Sequence, residues 1–306
     1  QRAALKAVIN KESVFITGPG GTGKSYLITL IAEHFRDDCQ IVCPTWQSAE
    51  VHKDYKAVTL HTFFKFRVPN DLYSDIDERD LSDQAKKEKL VLVFDEISMV
   101  SGTRLDAIDR IMRRVRGKDE SFGGALVVFV GDFYQLPSID DKINGNSCLN
   151  RFRDDGPAYS SVVWDKLKPK IINLKTSKRL TAGTETFEEI LKEIRVGNYD
   201  RKNDLASFTA SNAKAKEIED CPDTTWLYAK NDNVKTKNNE KLASLSEESY
   251  EFDSYVKVED KPARPMNPPM HEPFVGKIGA RVMLSHTWYF LGASGELERI
   301  CSNSQG

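Results

Sequence analysis

The chain has 306 residues, 40% hydrophobic and 29% charged, with 44 Lys plus Arg against 46 Asp plus Glu and a formal net charge of -2. At about 150 residues per domain this length suggests two domains, and the composition excludes wholesale disorder. Near neutrality excludes a protein that coats nucleic acid by bulk charge, while leaving room for a local basic cleft.

In chain order, residues 1–10 carry charge and no long apolar stretch, so no secretory signal is expected. Residues 14–17 read as a buried strand running into a Gly-rich turn. Residues 26–35 follow, with Leu27, Leu30, Ile31 and Phe35 at helical spacing. Residues 41–45 and 58–61 are short strand candidates. Residues 69–89 are highly charged and read as loop plus surface helix. The runs 90–94 and 125–130 are continuously apolar, as in strands covered on both faces. Both are far short of the roughly 20 residues that cross a bilayer, so no membrane span is expected. Between them Leu105, Ile108, Met112 and Val115 mark one face of a helix. Residues 142–161 read as a long loop, 171–174 and 225–228 as strands, with a helix between them at Phe187, Ile190, Leu191 and Ile194. Residues 261–273 are Pro-rich and irregular. Strands alternating with helices argue for an α/β fold with a parallel sheet.

Cys39, Cys43, Cys148, Cys221 and Cys301 are odd in number and scattered, which suits a reducing, intracellular compartment. Cys39 and Cys43 have His34 and His52 nearby, but no second pair answers them. Core or surface thiols are expected there rather than a metal site. Arg104, Arg110, Arg113, Arg114, Arg116 and Lys118 are interspersed with Asp106, Asp109 and Asp119, which favours a solvated helix face over a nucleic-acid patch.

The run Gly18-Pro19-Gly20-Gly21-Thr22-Gly23-Lys24-Ser25 fits G-x-x-x-x-G-K-[ST] at every fixed position, after a strand and before a helix. Glycines let backbone N–H groups turn around phosphate oxygens, and the helix start adds partial positive charge. Lys24 is expected to reach the β and γ phosphates of ATP, and Ser25 to ligate Mg2+. Asp95 and Glu96 end the apolar strand 90–94, where a second Mg2+ contact and a general base for water are needed. Gln135, in Gly131-Asp132-Phe133-Tyr134-Gln135-Leu136-Pro137 after the next strand, stands where a side chain can bond both the γ-phosphate and the attacking water.

These blocks together resemble a superfamily 1 DNA helicase of the petite-integration-frequency (Pif) type. The resemblance rests on Gln1 at the spacing of an adenine-reading Gln, Phe15 to Ser25 as motif I, and Thr59-Leu60-His61-Thr62-Phe63 as a strand-contacting block. Phe94-Asp95-Glu96-Ile97-Ser98-Met99 serves as motif II, and Phe122-Gly123-Gly124 with the Gln135 block as motif III. Residues 174–179 resemble motif IV, whose Arg179 is implied to reach the γ-phosphate, and 190–197 the helix after it. Residues 278–284 resemble a later block. The family implies a P-loop NTPase of two RecA-like lobes, here 1–174 and 175–306, with ATP between them. It implies 5′-to-3′ movement on single-stranded DNA, unwinding of forked duplex, and work in DNA replication, recombination or repair; separately, a monomer is expected.

The resemblance also places Thr45, His61, Thr62 and Phe63 on the DNA track, where Trp46 is a candidate to stack on a base. Adjacent Phe63 and Phe64 point to different faces, so at least one is expected in the core. Departures are Trp46 to Ala49 after Thr45, Leu180 after Arg179, Thr287, and Ser294-Gly295. No full motif V and no motif VI is found, so the second lobe is expected to be incomplete: either the chain is a fragment or segments of a larger protein are missing from it, and only a complete chain of this kind is expected to show weak turnover and unwinding. A P-loop ATPase or small-molecule kinase of another class is the competing reading, and the Gln135 and Arg179 blocks argue against it. A module that binds DNA and ATP without efficient unwinding is the third.

Overall fold

The computed structural model describes residues 1–66, 83–138, 142–143, 146–147, 156–178, 185–198, 226–252, 274–282, 288–291 and 297–300. Packing divides the chain into two compact units, Gln1–Ala206 and Ser207–Gly306. Of the residues after 174, the described 175–178 and 185–198 belong to the first unit, whereas the sequence division at 174 is one of motifs.

The first unit is built on a six-stranded, wholly parallel sheet of β1 (Val14–Thr17), β2 (Cys39–Cys43), β3 (Val58–Thr59), β4 (Val91–Phe94), β5 (Leu126–Val130) and β8 (Lys170–Asn173), in the order β3-β2-β4-β5-β1-β8. The short strands β6 (Lys142–Ile143) and β7 (Asn146–Ser147) pair antiparallel outside it. Successive strand residues feed opposite faces. Val14, Ile16, Val91, Val93, Val128 and Val130 join one core, with α1 (Arg2–Ile9) and α2 (Lys24–Phe35). Phe15, Leu92, Phe94, Val127 and Phe129 join the other, with α4 (Leu60–Phe64) and α6 (Gly102–Arg116). Burial on both faces is why these runs read as continuous apolar stretches. Cys39 and Cys43 are buried thiols of the first of these cores.

The helix expected around Leu105 is α6, started by the Ser101 hydroxyl, which accepts Arg104 N–H, and stopped by left-handed Gly117. Part of its basic face is structural. Arg113 pairs with Asp109 and Asp119, and Arg116 donates to the carbonyls of Ala85, Lys87, Glu88 and Gly123. The lead-in to β5 takes three left-handed residues in succession, Phe122, Gly123 and Gly124. Fully buried Phe122 tolerates this because its N–H is held by Asp109 Oδ1 at 2.6 Å.

Two strand expectations are corrected. The segment 58–61 is a strand only to Thr59, whose hydroxyl then accepts Thr62 N–H and starts α4. His61 is therefore helical. Trp226, Leu227 and Tyr228 form no strand: no described strand offers them a ladder, and Leu227 is 93% exposed. In 69–89 the described part holds α5 (Asp83–Lys86). The 142–161 segment contains β6, β7 and a 3-10 turn, Ala158–Ser160, that leads into α7 (Val162–Leu167). The helix at Phe187 is α8 (Glu185–Val196). The Pro-rich 261–273 segment lies outside the described residues.

The second unit, as described, has α9 (Asn231–Ala243) and two antiparallel strand pairs, β9 (Ser249–Phe252) with β10 (Phe274–Lys277) and β11 (Trp288–Leu291) with β12 (Leu297–Ile300). No described helix is long and apolar enough to cross a membrane.

Candidate nucleotide and DNA site

In a parallel sheet every strand delivers its following loop to the same edge, the usual place for a ligand. Here the register extends past the strands. Leu174 N–H bonds Thr17 O at 2.7 Å, Gly131 N–H bonds Ile16 O at 3.1 Å, and Asp95 N–H bonds Val42 O at 3.0 Å. The phosphate-loop candidate after β1, the carboxylates after β4 and the Gln135 loop after β5 therefore emerge side by side.

Glycine is required in the loop for space as well as for backbone angle. A Cβ on Gly18 (φ +146) would collide with the Leu174 carbonyl, and one on Gly23 (φ +85) with the Gln1 amide. Gly20 meets nothing and is exposed. Several of the loop's carbonyls are taken by donors. Gln1 Nε2 reaches Thr22 O at 3.3 Å and Gly23 O at 3.4 Å, and Lys178 N–H reaches Gly21 O at 2.7 Å. Buried Thr22 closes the turn on Pro19 O at 2.9 Å. Lys24 Nζ donates to Gly18 O at 2.7 Å and Pro19 O at 3.0 Å. The first N–H groups of twelve-residue α2 have no partner within the helix, so its start favours an anion.

Burial lowers the Lys24 pKa below its usual range, against the pull of Asp132, Glu96 and Asp95. Glu96 is shifted the other way. Burial first, then the Asp95 charge, raise it above an ordinary glutamate, with Lys24 opposing. Glu96 also sits in the left-handed region (φ +49), a local strain of the kind that accumulates at working sites.

Asp95 is buried, with Oδ1 accepting Glu96 N–H at 3.0 Å and Oδ2 lying 3.2 Å from His52 Nε2. Each oxygen keeps a lone pair. With exposed Ser25 at the start of α2, the donors are hard oxygens supplied by two residues, which fits Mg2+ completed by phosphates and water. Among the described residues no group of three or more His, Cys, Asp or Glu gathers as an all-protein metal cage.

Gln135 is exposed, and its Nε2 donates to Asp132 Oδ2 at 3.2 Å. Asp132 is fully buried and is clamped by Arg195 of α8. Arg179 lies outside the described residues. Thr45 caps α3 (Trp46–Val51), its hydroxyl accepting Ser48 N–H at 3.2 Å, and Trp46 is half-buried on the first turn. Strands β2 and β3 are paired neighbours, so this turn and the His61 turn leave the sheet together. His61 is half-buried and Thr62 exposed. Phe63 is 4% exposed and packs with Phe64 inside the core, so its ring has no free face for a base.

Three residues were missed by sequence reasoning: His52, Asp132 and Arg195. A His meeting an Asp 43 positions away has no local signature. Asp132 has one, since an acid two residues past a buried strand, held inside the fold, calls for donors to its charge.

A model of the family described as PIF1-like helicase matches residues 1–205. The chain is 30% identical to an "ATP-dependent DNA helicase Pif1" of Campylobacter jejuni over 97% of this chain and 68% of that protein. It is 27% identical to one of Psychrobacter sp. over 96% of this chain but only 45% of that protein, so it spans about half the length of that relative. Among solved structures, Bacteroides sp Pif1 in complex with ADP-AlF4 matches with a TM-score of 0.63 and 26% identity, over 98% of this chain and 68% of that one. Pif1 helicase from Candida albicans matches in fold with a TM-score of 0.69 at 24% identity, over 93% of this chain and 64% of that one.

Proposed function

Because the chain belongs to the PIF1-like helicase family, we propose that it is a motor segment of an ATP-dependent DNA helicase, coupling hydrolysis to 5′-to-3′ movement on single-stranded DNA and to unwinding of forked duplex. The observation that carries this reading is the convergence at one sheet edge of the phosphate loop, Asp95 with Glu96, and Gln135, with the Thr45–Trp46 and His61–Thr62 turns leaving the same edge.

In this reading Gly18, Gly20, Gly21, Thr22 and Gly23 shape the cradle, and Gln1 contacts the adenine. Lys24 leaves the loop carbonyls for the β and γ phosphates. Ser25 and Asp95 hold Mg2+, which when bound neutralises charge on the phosphate oxygens. Glu96 takes a proton from the attacking water, a role that suits a carboxylate whose pKa is raised toward neutrality. Gln135 orients that water against the γ-phosphate. Arg179, in the motif IV block, reaches the same phosphate. Trp46, Thr45, His61 and Thr62 contact the strand, with Phe63 supporting them from below. The protein acts as a monomer inside the cell.

ATP hydrolysis should rise when single-stranded DNA is added. Equal rates with and without DNA would contradict the motor reading and favour a P-loop ATPase of another class.

A further inference from the structure

Helix α8 sends one side chain to the Gln135 loop. Arg195 Nε donates to Asp132 Oδ2 at 2.9 Å and its terminal nitrogen to Oδ1 at 2.7 Å, a forked pairing. The guanidinium also lies over the Tyr134 ring, 4.4 Å from its centre. Asp132 takes two further donors, Tyr134 N–H on Oδ1 and Gln135 Nε2 on Oδ2, both at 3.2 Å. Each oxygen therefore carries one bond from Arg195 and one from the Gln135 loop.

A tether for α8 alone would need no buried acid, and burying a charge pair is costly. The arrangement makes sense if the acid has a second task. Asp132 acts electrostatically on both Lys24 and Glu96, so its charge is felt where the triphosphate would bind. Left bare, it would hold the Gln135 amide tightly. Sharing its oxygens with Arg195, it holds that amide less tightly, and Gln135 keeps one donor bond that it can exchange for the phosphate and water.

We propose that Arg195 is a positioning residue for ATP hydrolysis: its clamp on Asp132 sets where the Gln135 amide rests and ties α8 to the state of the γ-phosphate. This rests on the reading of Gln135 given above. Arg195 touches neither nucleotide nor water; it acts through Asp132 and Gln135.

The test is a double-mutant cycle in the full chain, with kcat, KM for ATP, equilibrium binding of a fluorescent ATP analogue and Tm measured for each variant. Arg195→Gln should lower kcat by about tenfold or more, since misplacing a group by about 1 Å can cost on the order of 10²-fold, while analogue binding changes little. Adding it to Gln135→Ala should cost little beyond Gln135→Ala alone. Additive losses, or a lowered Tm with kcat retained, would overturn the proposal. If Arg195→Gln leaves Asp132 unpaired and does not fold, Arg195→Gln with Asp132→Asn removes both charges. That pair should show the same loss of kcat, and wild-type kcat in it would overturn the proposal. Gln135→Ala without effect would instead remove the reading of Gln135 on which the proposal stands.

Discussion

Lys24 and Glu96 sit on opposite sides of their usual titration ranges for one shared reason, partial burial at a crowded sheet edge. Lys24→Ala should abolish turnover, because no other described side chain of the loop can replace its ammonium. Glu96→Gln should retain ATP-analogue binding while lowering kcat by roughly 10²- to 10⁴-fold, the span typical of a lost general base. Loss of binding together with turnover in Glu96→Gln would assign that residue to binding instead.

Asp132 gives a pH prediction. Burial alone would raise its pKa, but Arg195, the Tyr134 N–H and the Gln135 amide outweigh it and hold the carboxyl below the ordinary 3.8. A depressed carboxylate stabilises the fold above its ordinary pKa, and that contribution is lost as pH falls through the lower folded value. Thermal midpoints should therefore fall below pH 3.8 more steeply for the wild type than for Arg195→Gln with Asp132→Asn; parallel curves would contradict the assignment. At this scale the sequence named the side chains of motif chemistry, Lys24, Asp95, Glu96 and Gln135. It could not show which partner each one faces. Phe63 illustrates the gap: its neighbours His61 and Thr62 carry the polar surface, and burial decided for Phe63.

Among the elements, β1 and β8 do more than build the sheet. The Leu174 backbone closes over Gly18, so the phosphate loop and the start of the following segment share one tight contact. Gly18→Ala meets both a left-handed-side backbone angle and that carbonyl. It should cost about 1–3 kcal/mol, read from denaturant unfolding, and lower nucleotide affinity as well. Unchanged stability would show that the loop relaxes freely away from β8. The long apolar runs match β4 and β5 within a residue, since a strand buried on both faces uses such a run. Short elements were less legible. Residues 58–61 look extended by composition, yet the Thr59 cap turns the chain into α4 after two strand residues. Residues 226–228 have strand-forming side chains but no partner among the described residues, and pairing rather than propensity makes a strand.

For the whole molecule, near-neutral charge means that DNA affinity must come from a narrow track rather than from the overall field. The basic face of α6 does not supply one by default, since Arg113 and Arg116 are bound within the fold. The motor reading depends instead on nucleotide chemistry and strand contacts meeting at one sheet edge. The most direct measurement is unwinding of a forked duplex bearing a 5′ single-stranded tail, with ATP and Mg2+, by protein carrying this chain and by its Lys24→Ala variant. Strand separation that requires ATP, the 5′ tail and Lys24 is the predicted result. Equal separation without ATP or by Lys24→Ala, or none at all while the tail is still bound, would contradict the account.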